Sequence, residues 1–307
     1  MLPPLFPTSL PVTPVRLHSR MPDDWRRPLS DSDWCAANAV GRVVDSFIEG
    51  PVFDAAGRLY LTDIPNGRIA RIEQDGSWRS IAQYDGEPNG LKFLEAGVLL
   101  VTDYRRGLLR IDVEAGTVSP FLTRVNSESF KGVNDLTFDG AGNLYFTDQG
   151  QTGLHDPTGR VYRRRVDGSL DLLLATVPSP NGIAISPDGH VLYVAATRDN
   201  SVWRGTLNRN GLLSKVGRFF SLNGPGGPDG LAVTPEGDLI VAAVGSGCVW
   251  RVDPAGRPRQ VWDCSAFGMM PTNIALGGPP PGRLYITESS SGSVLVGDLD
   301  APAGPGR

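Results

Sequence analysis

The chain has 307 residues, 40% hydrophobic and 20% charged, a composition that can bury a sizeable core and a length ordinary for one large all-β domain. A net charge of −4 and a pI near 5.4, with no basic run longer than Arg163-Arg164-Arg165, provide no cationic face for a phosphate backbone and argue against a nucleic-acid partner. The three cysteines, Cys35, Cys248 and Cys264, are odd in number and far apart, which fits reduced thiols in a cytoplasmic protein better than a disulfide framework.

In chain order, the first segment, MLPPLFPTSLPVTP, is interrupted by prolines and lacks both a charged leader and a long apolar core. It reads as neither a signal peptide nor a membrane span. Residues 1–40 are expected to form an extension that packs on the domain that follows. From Glu49 a phrase then recurs six times: EGPVFDAAGRLYLTD, NGLKFLEAGVLLVTD from Asn89, NDLTFDGAGNLYFTD from Asn134, NGIAISPDGHVLYVAA from Asn181, DGLAVTPEGDLIVAA from Asp229 and NIALGGPPPGRLYITE from Asn273. The copies start 40 to 48 residues apart. Each reads as an apolar strand, an Asp/Pro/Gly turn and a strand rich in Leu, Tyr, Val and Ile, without a 3.6-residue period. A third strand follows most copies, as in GRIARIEQDG and GCVWRVDPAG. Repeats of this length built from short strands predict propeller blades. The expected fold is therefore all-β, a six-bladed β-propeller spanning residues 41–300 as a single domain, with a tail at 301–307. After SGSVLVGDLD only APAGPGR remains, so the sixth blade lacks an outer strand of its own. GRVVDSF, residues 41–47, alternates apolar residues and is expected to supply it, because an open ring would leave strand edges exposed.

In a propeller the first strand of each blade lines the central channel, so equivalent positions converge on one ring at its mouth. The aligned positions are Glu49, Asn89, Asn134, Asn181, Asp229 and Asn273, all carrying side-chain oxygen acceptors. Asn and Asp also begin strands as turn formers, which is a sufficient explanation for Asn89 and Asn273 taken singly. Glu49 is not a good turn former. A convergence of oxygens without His or Cys is the ligand chemistry of a hard cation such as calcium, which takes about 6 to 8 oxygens. Glu49 and Asp229 would neutralise its charge, and Asn134 and Asn181 would add neutral oxygens. Zinc would favour His or Cys, and His18, His155 and His190 all lie outside the ring. A second set, Asp63, Asp103, Asp148 and Glu288, ends the second strands and is expected near the same mouth, with Ala196 and Ala243 making blades four and five its apolar side. These acids serve equally well as acceptors for turn N–H groups.

The stretches EGPVFDAAGRLYLTDIPNGRIARI, VNDLTFDGAGNLYFTD, SPNGIAISPDGHVLYVAATRDNSVWR and GGPDGLAV resemble the SMP-30/gluconolactonase/luciferin-regenerating-enzyme family over residues 45–297. The resemblance implies a six-bladed propeller whose central divalent metal, usually calcium, activates a sugar lactone or related ester for hydrolysis. The family's metal-binding Glu falls on Glu49, its PNG Asn on Asn181 and its PDG Asp on Asp229. The Asn of the ND motif, a ligand or a substrate contact depending on the member, falls on Asn134. Members that hydrolyse sugar lactones often carry an Arg two residues before that Asn. Gly132 stands there, with Lys131 one residue further back.

The expected mechanism has the metal as Lewis acid and a carboxylate assisting attack by water, with Asp229 first and Glu49 and Asp148 next as the catalytic group. Substrate contacts are expected from Asn134, Lys131, Asn89 and Asn273. Calcium is the expected cofactor, with Mg2+, Mn2+ or Zn2+ as alternatives. No GxSxG sequence offers a serine route. The partner is a small lactone or ester, with no membrane and a monomer or homodimer as the expected assembly. The loss of the Arg, together with Ala196 and Ala243, points to substrates with fewer hydroxyls than glucono-δ-lactone. Two alternatives remain on the same scaffold, a metal-dependent phosphotriesterase-type hydrolase and a ligand-binding propeller without turnover.

Overall fold

Six antiparallel sheets stand in a ring about a central channel in a computed structural model that describes residues 10–29, 32–208 and 210–299. Their inner strands are Ile48–Phe53, Pro88–Glu95, Val133–Phe138, Pro180–Ile185, Gly227–Val233 and Pro271–Leu276. Each touches the next around the ring, and the sixth returns to the first. The second strands, such as Leu59–Asp63 and Leu144–Asp148, are buried along their whole length because neighbouring blades cover both faces. Continuous β-branched and aromatic runs suit that environment. Turns between first and second strands use the Asp of the repeated phrase: Asp54 Oδ1 accepts from the N–H groups of Ala56 and Arg58 at 3.0 and 2.9 Å. Asp139 does the same for Ala141 and Asn143, so the two copies form the same Asx-turn.

The core is divided into six apolar clusters, one between each pair of adjacent blades. Ile240, Val249 and Trp262 of blade five meet Ile274, Leu284 and Leu295 of blade six; Tyr60 and Ile69 of blade one meet Leu91 and Val101 of blade two. Threonines in the second strands tie the inner strands together. Thr62 Oγ1 donates to the Asn89 carbonyl of the next blade at 2.8 Å, Thr102 Oγ1 to that of Asn134, and Thr147 Oγ1 to that of Asn181 at 2.8 Å. These bonds set the height of one ring residue against the next.

The ring closes differently from the sequence-based expectation. The outer strand of blade six is Arg16–Arg20, antiparallel to Ser293–Asp298, and Arg16 forms a two-pronged pair with Asp298 at 2.9 and 3.1 Å. Just before it, Val12–Pro14 adds a parallel fifth strand to blade five. Residues 41–47 form no strand. The chain crosses from the outer edge of blade six to the inner strand of blade one, and that crossing uses the short helix Asp33–Asn38 and the segment up to Phe47. Ser32 caps the helix, accepting from Cys35 N at 3.1 Å. Arg26 anchors the crossing through Asp45 and the carbonyl of Ser291. The apolar alternation of 41–47 therefore serves a roof over the channel mouth. The tail, 301–307, lies outside the described residues.

Candidate functional site

One end of the channel opens into a cavity of about 570 Å3. Its floor carries Glu49, Asn89, Asn134, Asn181 and Asp229, five of the six positions aligned in the sequence. The sixth is out of register by one residue. In every blade the same residue near the end of the second strand pairs with the residue just before the ring position: Asp63 with Ile48, Asp103 with Pro88, Asp148 with Val133, Ala196 with Pro180, Ala243 with Pro228, and Glu288 with Pro271. The ring residue of blade six is thus Thr272. Asn273 aligns with Gly90 and Asp135, and all three donate their N–H to a second-strand threonine hydroxyl. Asn273 is not part of the cavity lining; its Nδ2 donates to Glu49 Oε2 at 2.8 Å. It positions the carboxylate and does not face a substrate.

Glu49 and Asp229 are almost wholly buried, 3% and 6% exposed. Glu49 Oε2 also accepts from Gly50 N at 2.7 Å. Burial pushes the Glu49 carboxyl up to about 7, against the pull of the Gly50 and Asn273 donors, and the charge of Asp135 raises it further. Burial raises Asp229 well above the ordinary carboxylate range, with Glu49 and Asp135 adding to it and Arg198 opposing. Asp135 lies a layer below, its oxygens accepting from the N–H groups of Leu136 at 2.9 Å and Ile183 at 3.2 Å. Asp135 thus raises the pKa of Glu49, and both raise that of Asp229, so the three buried carboxylates need positive charge to ionise together.

The amide of Asn134 points the same way. Its Nδ2 donates to Gln149 Oε1 at 3.0 Å, and Gln149 Nε2 donates to Ser179 Oγ at 2.9 Å. In this arrangement Asn134 Oδ1 is left buried without a hydrogen-bond partner. A buried orphan acceptor is costly unless something outside the chain satisfies it. Among the described residues no three His, Cys, Asp or Glu side chains gather as a metal cluster. The donor set is two carboxylates with amide oxygens, which fits a hard divalent cation and not a thiol- or imidazole-seeking one.

The second-strand acids sit elsewhere. Asp63, Asp103, Asp148 and Glu288 are fully buried outside the lining and accept the N–H groups of Phe47, Glu87, Gly132 and Met270 at 2.9 to 3.1 Å. They anchor the entry to each inner strand. Asp148 thus lies outside the cavity lining, its Oδ2 facing Arg160 at 3.8 Å. Ala196 and Ala243 are likewise buried and form no rim. The side chains that do line the mouth belong to the next residue along: Ile64, Tyr104, Gln149, Thr197, Val244 and Ser289. Strand alternation is the signal that could have found them, since a one-residue step turns a side chain to the other face. Lys131 is also outside the lining, its Nζ donating to Thr158 Oγ1 at 2.8 Å. A Cβ at Gly132 would collide with the ring of Tyr104, so Tyr104 fills the place where an Arg was expected. Arg198 reaches the lining from blade four, and Trp34, Val43 and Phe47 reach it from the crossing segment.

A family model described as the SMP-30/Gluconolactonase/LRE-like region matches residues 47–290. Among curated proteins, a gluconolactonase of Zymomonas mobilis is 29% identical over 258 residues, 72% of each chain. A pentonolactonase of Haloferax volcanii is 30% identical over 280 residues, 87% of this chain and 89% of the relative. Among solved structures, a calcium-binding protein, regucalcin, from Agrobacterium tumefaciens superposes with a TM-score of 0.73 at 23% identity, covering 94% of this chain and 95% of that one, a likeness of fold. With a match that takes in the inner strands of all six blades, the chain belongs to the SMP-30/gluconolactonase/LRE-like family.

Proposed function

We propose that the protein is a divalent-cation-dependent hydrolase that opens a lactone or related ester, with calcium as the cation. The observation that carries this reading is Asn134 Oδ1, buried and unpartnered beside Glu49 and Asp229. The relatives named gluconolactonase and pentonolactonase support the reaction class. Glu49, Asn134, Asn181 and Asp229 would hold the cation. When bound, it supplies Lewis acidity toward a carbonyl oxygen and screens the paired carboxylates.

The chain's own residues do the rest. Asn273 and Gly50 occupy Glu49 Oε2, which leaves Oε1 toward the channel. Gln149 holds the Asn134 amide so that Oδ1 faces inward. The crossing segment places Trp34 and Phe47 beside the floor, which reduces its access to bulk water. The Asp229 carboxylate takes a proton from the attacking water as its oxygen bonds to the carbonyl carbon. The ring C–O bond breaks, and the same proton passes to the departing ring oxygen, giving a hydroxy acid. Burial, Glu49 and Asp135 raise the Asp229 pKa, and Arg198 opposes that rise and so favours the ionised form that the proton transfer requires.

Chelator-stripped protein is expected to lose hydrolysis of γ- and δ-lactones and to regain it with calcium. Glu49→Gln keeps the shape, removes one anion and should weaken calcium binding about tenfold or more. Turnover that persists in excess chelator, or calcium binding unchanged in Glu49→Gln, would count against the site. Hydrolysis of a phosphotriester but of no lactone would move the assignment to the phosphotriesterase alternative.

A further inference from the structure

The cavity has a polar side and a largely apolar one. Blades three and four contribute Gln149, Ser179, Thr197 and Arg198. Blades one, two and five contribute Ile64, Tyr104 and Val244 above the polar floor, and blade six contributes Met270 beside Ser289 and Ser290. Over this apolar half lies the crossing segment, with Phe47 and Trp34 in ring contact at 4.9 Å. Val43, 71% exposed, also faces the cavity. The Tyr104 ring is held in place by its contact with Gly132 and by Gln151 Nε2, which donates to its hydroxyl at 3.1 Å. The cavity volume of about 570 Å3 lies within the range of about 300 to 1,000 Å3 that takes a drug-sized ligand, larger than a bare lactone ring.

Resting on the lactone-hydrolase reading, we infer that this apolar half is a subsite for a hydrocarbon substituent, so that the substrate is a lactone bearing an alkyl or aryl group. The ester group sits on the polar floor among Glu49, Asn134 and Asp229. The substituent extends under the roof against Trp34, Phe47 and Tyr104, where burial of its surface contributes to binding. The occupant is a small amphipathic molecule because the apolar wall is continuous with the oxygen-lined floor and flanked by the aromatic rings of the crossing segment.

The test is a series of δ-valerolactone, δ-octalactone, δ-decalactone and glucono-δ-lactone with the calcium-loaded full-length protein. Each added methylene that is buried should raise kcat/KM by about fourfold. In Trp34→Ala and in Val43→Ser the ratio of kcat/KM for δ-decalactone over δ-valerolactone should fall about fivefold or more. Val43 is on the surface, so its replacement tests the subsite without challenging the fold. Hydrolysis of δ-valerolactone with no gain along the series, or a preference for glucono-δ-lactone over every alkyl lactone, overturns the subsite and leaves lactone hydrolysis standing. Absence of turnover on every lactone overturns both.

Discussion

Asn273, outside the cavity lining, and Gln149, at its mouth, each decide what a floor residue presents. Asn273 spends its Nδ2 on Glu49, and Gln149 spends its carbonyl oxygen on Asn134. A hydrogen bond to a charged group is worth about 1.5 to 3 kcal/mol, more than a bond between neutral groups. Asn273→Ala is therefore expected to weaken calcium binding about tenfold, read by calorimetric titration. In Gln149→Leu the Asn134 amide is free to turn its nitrogen inward, and a similar loss should follow. Equal affinity in both variants and the parent would show that neither side chain positions the floor.

At the scale of the strand, the acids ending the second strands are structural pins. Asp63 accepts from Phe47 N at 3.1 Å and from Asn66 Nδ2 at 3.0 Å, with Arg68 Nη1 at 3.3 Å. Burial nevertheless pushes its carboxyl up to about 6, against the pull of the Phe47 N–H and Arg68. Its ordinary value is 3.8, so the folded state holds the proton more tightly than the unfolded chain. The stability this contributes is complete below about pH 4 and is lost as the pH rises through 6, at about 1.4 kcal/mol per pH unit. Compared with Asp63→Asn, the parent protein should lose up to about 3 kcal/mol of unfolding free energy between pH 4 and 7 in urea titrations. A difference between the two that is flat across that range would refute the assignment. Glycine has a complementary task in the inner strands. A Cβ at Gly182 would run into the Asp229 carbonyl, and one at Gly230 into the Asn273 side chain. The small residue after the ring position lets adjacent blades approach closely enough to bring their oxygens to one floor.

For the molecule as a whole, closure depends on a strand from the N-terminal segment. Val15 and Met21, flanking Arg16–Arg20, are buried in the clusters beside blade six. Burying such a side chain contributes about 1.5 to 3 kcal/mol, and a whole domain is stable by only about 5 to 15 kcal/mol. Deleting residues 1–20 removes Val15, leaves the outer edge of Ser293–Asp298 unpaired and removes the Arg16–Asp298 pair. The midpoint of thermal unfolding should fall by on the order of 10 °C, and the exposed edge should promote association. A melting curve and a sedimentation profile matching those of the full chain would show that blade six closes without this strand.

The repeated phrase determined the fold class, the number of blades and five of the six ring positions, because side-chain chemistry at a strand start and the Asp-Gly turn are local properties that each copy states for itself. It misplaced Asn273, since the sixth copy carries Pro-Thr-Asn where the others carry the ring residue directly after its predecessor, and only the pairing of Pro271 with Glu288 counts the register. It placed Asp148 with the site because the identity of an acid does not say to which face of a buried strand it turns. The closing strand went to residues 41–47 for a related reason. Residues 41–47 carry the apolar alternation, whereas the strand that closes the ring, Arg-Leu-His-Ser-Arg at 16–20, has a single apolar side chain and lies largely exposed on an outer edge, so its sequence shows no strand pattern. Tertiary structure decided between them: the edge of Ser293–Asp298 pairs with the segment that reaches it, and the chain must then cross the mouth to enter blade one.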